Sequence, residues 1–277
     1  MVGVQGRRLL LNGLMLLLVA GLAGLAWWWQ TAGNKAASID RLLALDLSVV
    51  NTVEVDRNPA TPGKDVLRFQ KEGSGWQMQL PKVLVANPVR MRQVLTLLEE
   101  RVEASYDAAG KDLQPYGLNP GQVVVRFNGE ALVLGGNNPV SNRRYVLHDG
   151  KIKLVNEAVF GALTGEWLDF VALKLVPEGV SLQSVQLPEG FVSSPALVTA
   201  WQQAEAIRLE PLEATVSAEG KGRIQLITAD GTRELRVLET SDELVLADVG
   251  HGLRYIFPLS QMGGLLPSKT NLEPAAE

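Results

Sequence analysis

The sequence predicts an α+β protein in which one N-terminal transmembrane helix is followed by two tandem repeats, each a helix packed on an antiparallel sheet. Three observations predict this class. Residues 9–29 carry no charge. Two later segments, starting at Asn87-Pro88 and Ser194-Pro195, each join a helix-capping residue and a proline to an apolar stripe. Each of these helices is followed by four short runs that alternate apolar and polar residues, as hairpin strands do.

The N-terminal apolar run is long enough to cross a bilayer. At about 1.5 Å per residue, residues 9–29 span the ~30 Å hydrocarbon core. Arg7 and Arg8 precede the run, so the positive-inside rule keeps the N-terminus in the cytoplasm and exports the chain after Gln30. Residues 1–30 are therefore predicted to be a cytoplasmic tip and signal anchor in the bacterial inner membrane, with the C-terminal region in the periplasm. Three tryptophans would lie at the outer interface: Trp27, Trp28 and Trp29.

A cleaved signal peptide is the alternative interpretation of this run. Signal peptides have shorter apolar cores of about 7–15 residues and end in a small-x-small cleavage site. Here tryptophans occupy the positions before any cleavage point, and Ala36-Ala37-Ser38 is only a weak site. The chain contains no cysteine, which excludes a lipoprotein acylation site, disulfides and cysteine-ligated metals. The uncleaved anchor is the favoured interpretation.

One face of the anchor helix combines small residues with a polar amide. At about 100° per residue its three glycines share one broad face. An Asn amide is costly toward lipid, so it prefers another helix or a backbone carbonyl. This face predicts close packing of a partner helix; the alternative is a plain anchor whose Asn12 reaches the cytoplasmic interface. The residues of the face are Asn12, Gly13, Gly21 and Gly24.

The exported region is acidic. Removing Arg7 and Arg8 from the 26 basic residues leaves 24 against 30 acidic residues, a net charge of −6. Such a surface argues against nucleic acid and anionic lipid as general partners. The absence of cysteine agrees with a bacterial periplasm without requiring it.

The first repeat is predicted over residues 49–170, after a stalk at residues 31–48. It opens with alternating strands at 49–56, 65–71 and 76–80, joined by glycine- and proline-rich turns. A helix capped by Asn87 follows, and its apolar stripe continues to Val102. Four strands and a short closing helix complete the repeat, at 122–127, 131–134, 144–147, 151–155 and 157–163, with hairpin turns at Asn128-Gly129 and His148-Asp149-Gly150.

The second repeat is predicted over residues 171–266 and copies this order. A strand at 180–187 precedes the helix that starts at Pro195, whose apolar stripe runs from Leu197 to Ile207. Strands and a closing helix follow at 223–228, 233–238, 243–247, 253–257 and 259–265. Pro88 and Pro195 are 107 positions apart, and Val123 and Ile224 are 101 apart. The similar offsets predict an internal duplication, and residues 267–277 are predicted to be a flexible tail.

Several local motifs resemble one bacterial family. They are a strand that begins Gly75-Trp76 before an Asn-Pro helix, the turn Tyr116-Gly117-Leu118-x-Pro120, the strand end at Gly135 and the Arg-Tyr-Val strand at 144–146. With the single anchor, they resemble the membrane-anchored family called domain of unknown function 4340, over roughly residues 47–265. The resemblance implies an extracytoplasmic companion of ABC-type transporters, in a family without assigned catalytic residues.

The candidate catalytic residues form no recognisable constellation in the sequence. His148 and His251 lie in apparent hairpin turns with no third ligand arranged around them, so solvated turn residues are favoured over a ligand pair. Ser74 lies in a Gly-Ser-Gly turn rather than a nucleophile elbow. The adjacent acids Glu99-Glu100 and Asp242-Glu243 are better explained as solvated surface than as a glycosidase pair. We therefore expect no cofactor, no metal and no enzymatic activity.

Three arginines of the first repeat are a candidate partner patch: Arg126, Arg143 and Arg144. Such a patch would receive an acidic protein, a lipid head group or a glycan carboxylate. The alternative is the polar face of an antiparallel sheet.

The predicted function is a membrane-anchored periplasmic binding or scaffold module, accessory to an ABC-type transporter or another envelope complex. One alternative is an envelope hydrolase or carbohydrate-binding enzyme, which needs a cleft between the repeats with converging acids or His148. Another is a module that presents a lipid or small ligand, which needs an enclosed apolar pocket.

Overall fold

The structure, a computed structural model, describes residues 15, 17, 19–24, 40–191, 194–213, 222–239 and 241–267. Residues 15, 17 and 19–24 are helical. Within the described part of the chain, no helix has the length and apolar character that a membrane crossing requires. The predicted tail after Pro267 and most of the predicted anchor lie outside the described part, so both stay predictions. The anchor residues outside it include Arg7, Arg8, Asn12, Gly13, Trp27, Trp28 and Trp29.

The strands of the described residues form two antiparallel sheets, one of nine strands and one of six. The first contains β1 (Thr52–Asp56), β2 (Val66–Glu72), β3 (Gly75–Leu80), β4 (Leu84–Val85), β5 (Ala104–Asp107), β6 (Val123–Phe127), β7 (Glu130–Asn138), β8 (Arg143–His148) and β9 (Lys151–Asn156). The second contains β10 (Leu182–Gln186), β11 (Arg208–Pro211), β12 (Arg223–Thr228), β13 (Gly231–Glu239), β14 (Glu243–Asp248) and β15 (Leu253–Pro258). Each predicted strand overlaps one of these, and the predicted α+β class with antiparallel sheets is confirmed.

The two sheets share one order of strands. From β1 onward the first sheet runs β1-β6-β7-β8-β9-β5, and the second runs β10-β12-β13-β14-β15-β11. In each sheet the first strand along the chain, β1 or β10, pairs with the first strand of a four-stranded meander. The strand that precedes this meander in the chain, β5 or β11, closes the far edge. The sheets differ at one end, where β2, β3 and β4 extend the first sheet beyond β1.

Four α-helices lie among the described residues of the folded region: α1 (Pro88–Leu95), α2 (Ala158–Leu163), α3 (Pro195–Gln203) and α4 (Leu259–Leu265). As predicted, Asn87 caps α1, because its Oδ1 accepts hydrogen bonds from the N–H groups of Val89 and Arg90 at 3.0 and 3.4 Å. The helix ends earlier than predicted and tightens into a 3-10 turn, Thr96–Glu99. Helix α3 also ends early, so Ile207 lies beyond it and is 52 % exposed rather than buried.

The segment between the two repeats joins the two sheets. On one side, the N–H of Ala172 donates to the carbonyl of Val85 at 2.9 Å, next to β4. On the other side, the N–H of Ala206 donates to the carbonyl of Leu173 at 3.0 Å, just before β11. Residues 172–173 therefore cover the edges of both sheets at this point, which places the two repeats against each other.

The hydrophobic core runs without a break through both repeats. It begins earlier than the predicted stalk suggests, because Leu42 and Leu43 are buried. The N–H of Leu42 donates to the carbonyl of Glu100 at 2.8 Å, and the buried ammonium of Lys153 donates to the carbonyl of Leu42 at 2.9 Å. Residues 42–43 are thus part of the folded unit.

Three of the motifs quoted above meet in one contact: the turn at Tyr116, the strand end at Gly135 and the strand at 144–146. The 3-10 turn Gln114–Tyr116 lies against Gly135, where a Cβ atom would come within 2.4 Å of the Tyr116 carbonyl oxygen. The Tyr116 ring packs edge-on against Tyr145, with ring centroids 5.0 Å apart. The guanidinium of Arg144 donates to the carbonyl of Gly135 at 2.6 Å. These residues therefore have a shared packing role.

A candidate binding groove between the two repeats

A groove of about 900 Å³ lies where the two repeats meet. We call it the junction groove. Its size is at the upper end of the range typical of ligand pockets, and such pockets favour the boundary between structural units. It is lined by residues 72–77 of the β2–β3 hairpin, by residues 85–89, 91, 92 and 95 around α1, by residues 172–174 and 177–180 of the connecting segment, and by Glu205.

The floor of the junction groove is apolar. Trp76, Leu95 and Val180 pack against the core while remaining partly exposed. Val85 and Val89 are 40 % and 51 % exposed. The cap at Asn87 sets the direction of α1, which places Met91 in the core and Val89 toward the groove. An apolar floor of this kind is typical of binding sites.

Two further apolar residues lie close along the chain to this floor. Leu80, the last residue of β3, and Val83, in the turn before β4, are 38 % and 57 % exposed. Together with Val85 and Val89 they give four exposed apolar residues within ten positions.

The rim of the groove is polar. Lys174 and Glu178 form an ion pair at 3.4 Å. Among the described residues, Glu72, Arg92 and Glu205 have no ion-pair partner, although all three line the groove. Polar groups that surround an apolar floor are expected to fix the orientation of a bound partner.

A buried charged cluster lies on the second sheet beside the connecting segment. The guanidinium of Arg233 donates through Nε and Nη2 to Asp248 Oδ2, at 2.8 and 2.6 Å. It also donates to the Tyr255 hydroxyl at 2.9 Å and to the carbonyl of Leu175 at 2.5 Å. Because Leu175 belongs to the connecting segment, this cluster fastens that segment to the second sheet.

The pKa values of this cluster reflect its burial. Burial raises the pKa of Tyr255, and the opposing effect of Arg233 is smaller. Burial disfavours the charge on Arg233, but Tyr255 and Asp248 outweigh it and raise the pKa of the guanidinium above its ordinary value. Arg233 therefore stays charged, and it is the buried Asp248 carboxylate that balances it.

A second contact across the junction starts from the β3–β4 turn. The Lys82 ammonium donates to the carbonyl of His251 at 3.1 Å. The ring of His251 in turn contacts the Asp248 carboxylate through Nδ1 at 2.7 Å. His251 lies in the predicted hairpin turn and its side chain is 44 % exposed. It therefore helps to fasten the first repeat to the second.

The other histidine lies away from the junction groove. His148 ends β8, and its side chain is only 12 % exposed, which is less solvated than the sequence predicts. Its ring contacts Glu130 at 3.3 Å and the carbonyl of Ala131 at 3.3 Å. It lines a separate shallow depression with Asp107 and Lys151. The two histidines are not brought together.

The three predicted patch arginines do not form one surface. Arg126 pairs with Glu54 at 3.0 Å, and Arg143 pairs with Glu103 at 2.6 Å. Arg126 opposes Ala131 on β7, whereas Arg143 opposes Asn138, seven residues along the same strand. At about 3.3 Å per residue, this separates them by about 20 Å. Glu54 also pairs with Arg68 at 2.8 Å, so Arg126 and Arg143 belong to separate ion-pair groups of the first sheet.

Arg144 differs from the other two because it is buried. Its guanidinium forms an ion pair with Glu157, donates to Gln122 Oε1 at 2.7 Å and lies 3.8 Å from the centroid of the Phe160 ring. Burial raises the pKa of Glu157, but the hydrogen bonds from Arg144 and Asn137 outweigh it and hold the pKa below its ordinary value. Arg144 therefore stabilises the end of the first sheet.

Comparisons with known proteins returned no match to any family model, curated protein or solved structure. Within the described residues, no group of three His, Asp or Glu side chains is arranged to hold a metal ion. The junction groove is thus the feature of the described region that most resembles a binding site. No local pattern in the sequence predicts it, because its lining comes from segments a hundred residues apart. The Gly-Ser-Gly-Trp hairpin was the one local signal.

Proposed function

We propose that this chain is a single-pass, membrane-anchored periplasmic module that binds a protein partner in the junction groove. The observation that carries the proposal is the groove itself, with its apolar floor at Trp76, Leu95 and Val180 and its polar rim. The uncharged run at residues 9–29 and the arginines before it support the membrane anchor and the cytoplasmic N-terminus.

The exported region consists of two tandem repeats, residues 49–170 and 171–266. The shared strand order of the two sheets supports this division. So do the helices α1 and α3, which both begin at a proline after a capping-type residue. Duplicated modules often bind where the two copies meet, and the junction groove lies there.

The partner is an ABC-type transporter or another complex of the bacterial envelope. This part of the proposal rests on the resemblance to domain of unknown function 4340, which stays a prediction. The small-residue face of the anchor, to which Gly21 and Gly24 belong, offers a second contact for such a membrane protein.

The proposal is tested by crosslinking in living cells. A photoreactive amino acid placed at Val89, in the groove, should capture a partner protein. The same amino acid at Val140, an exposed residue that does not line the groove, is the matched control and should capture little. Co-purification in mild detergent, with and without residues 1–30, then shows whether the anchor contributes. Recovery of a lone monomer under every condition would contradict the proposal.

An envelope hydrolase is the second candidate, and one observation favours it: Glu72 and Glu205 both line the groove without an ion-pair partner among the described residues. Their roles as acid and base require a shared substrate between them. Hydrolysis of a peptidoglycan or polysaccharide substrate that is lost in both Glu72→Gln and Glu205→Gln would establish this activity. Retained partner capture in both variants would favour the binding module.

A further inference from the structure

The two sheets differ in what lies beyond their first strand. In the first sheet, β2 pairs with the outer edge of β1, with Val53 opposite Phe69 and Val55 opposite Leu67. In the second sheet, β10 holds the position of β1, and no strand of the described residues lies beyond it. The internal symmetry of the fold thus shows one edge that is occupied and an equivalent edge that is open.

One side chain forms hydrogen bonds with main-chain groups at the open edge. Leu182 lies opposite Thr228 of β12. Its N–H, however, donates to Gln202 Oε1 at 2.7 Å and not to β12. Gln202 Nε2 donates in turn to the carbonyl of Val180 at 2.9 Å. The carboxamide therefore bonds to main-chain groups as a neighbouring strand would.

The position of Gln202 in its helix supports this interpretation. Counted from the prolines that begin the helices, Gln202 of α3 corresponds to Leu95 of α1. Leu95 is apolar and packs against the core in a repeat where β2 already fills the edge. The amide occurs only in the repeat whose edge has no strand.

The open edge and the junction groove share a residue. Val180 lines the groove, and its carbonyl is one of the two main-chain groups that Gln202 holds. The same groove exposes part of Trp76 and Leu95. A chain that lay in the groove would reach the start of β10 with its side chains over an apolar floor.

We propose that the main chain at Val180–Leu182 is a strand-accepting site, and that its occupant is an extended segment of a partner protein with apolar side chains at alternating positions. The inference rests on the proposed function, since it takes the groove as the partner site. On binding, the Gln202 amide leaves, and the partner's main chain bonds Val180 and Leu182 in its place. The apolar side chains of the segment take the role that Leu67 and Phe69 have in β2.

The register limits the length of the added strand. A bulge between Leu182 and Ser184 interrupts the pairing of β10 with β12. Bulges on edge strands oppose extended pairing with other chains. The added strand is therefore short, and its affinity comes largely from side chains in the groove. This favours a specific segment over open-ended aggregation.

The test uses the full-length chain in detergent micelles and a fluorescent synthetic peptide with the sequence of residues 65–72, which contains β2. Gln202→Ala removes the competing amide and is expected to strengthen peptide binding by on the order of tenfold, as one or two net hydrogen bonds allow. The same variant is expected to melt at a lower temperature. Gln203→Ala, at the exposed neighbouring position, should change neither property.

Two further reagents keep the test decisive. Gln202→Glu retains the acceptor for Leu182 and loses the donor to Val180, so it should give an intermediate affinity if the alanine variant does not fold. A peptide with proline in place of Phe69 should not bind, because proline lacks the N–H of an added strand. Absence of peptide binding to every variant, or weaker binding to Gln202→Ala, overturns the inference.

Self-association of Gln202→Ala without peptide binding also overturns the inference, because the occupant would then be a second copy of the chain. Capture of a partner by a crosslinker at Val89 would persist in these cases if the proposed function is correct. The two proposals therefore fail separately.

Discussion

Replacing Gly135 by alanine should loosen the contact in which the family-like motifs meet. The new methyl group would lie 2.4 Å from the Tyr116 carbonyl oxygen and 2.8 Å from Leu118 Cδ2. Carbon–oxygen contacts normally begin near 3.3 Å, so the turn must move by about 1 Å. Overpacking of this kind costs about 1–3 kcal/mol. Movement of Tyr116 also disturbs its edge-on contact with Tyr145, so the upper part of this range is expected.

Thermal unfolding of the full-length chain, followed by circular dichroism, checks this prediction. For a folded region of this size, about 1–3 kcal/mol corresponds to a fall in Tm of about 2–12 °C. The neighbouring Gly136 provides a matched control, since a methyl there would meet the Tyr116 oxygen at 3.5 Å, an ordinary contact. Equal melting temperatures for Gly135→Ala and Gly136→Ala would refute the steric argument.

Three further predictions concern charge and topology. Because the pKa of Glu157 is lowered in the folded state, its ionised form contributes stability above the ordinary pKa of about 4.5. This contribution disappears as the pH falls through the lower folded value. The difference in unfolding free energy between wild type and Glu157→Gln should therefore be constant near pH 7 and shrink in acid. Asp248→Asn leaves the Arg233 charge buried without its carboxylate and should cost about 3–5 kcal/mol in denaturant unfolding, whereas a loss below 1 kcal/mol would show that the pair is dispensable. A reporter fused after Glu277 should be active in the periplasm with the N-terminus retained, and a mature N-terminus between Gln30 and Ser38 would replace the anchor with a cleaved signal.

The sequence predicts the helices and hairpins well because their signals are local. Asn128 and Gly129 both adopt positive φ, at 49° and 90°, as a tight two-residue hairpin requires. Helix α1 begins at the predicted proline, and α4 has the predicted bounds of residues 259–265. Each of these elements is specified by a few adjacent residues whose backbone preferences or caps act without help from distant parts of the chain.

The edge strands were missed for the opposite reason. Strand β5 has the sequence Ala-Ser-Tyr-Asp and β11 has Arg-Leu-Glu-Pro, and neither shows a buried alternation. Their strand character comes from pairing with β9 and β15 across long sequence separations. Tertiary context determines such strands, because half of an edge strand's groups face solvent.

The candidate site is only partly predictable from the sequence, because it also depends on contacts between distant segments of the chain. The sequence offers Arg126 and Arg143 as a patch because they are close along the chain, but seven positions of register separate them and they pair with different carboxylates. The junction groove requires Trp76 and Val180 to come together in space, and no local sequence pattern predicts this. Proximity in sequence is thus a poor guide to surfaces built between repeats.

The two sheets differ at the features on which the proposed function rests. The strands β2, β3 and β4 have no counterpart in the second sheet. They supply Trp76 to the floor of the junction groove, and the turn between β3 and β4 supplies Lys82, which donates to the His251 carbonyl near the second sheet. In the second repeat, the edge that these strands would have covered is held instead by Gln202. Under the proposed function both differences have a use, because a module that binds an extended partner segment needs an apolar surface on one side and an open strand edge on the other.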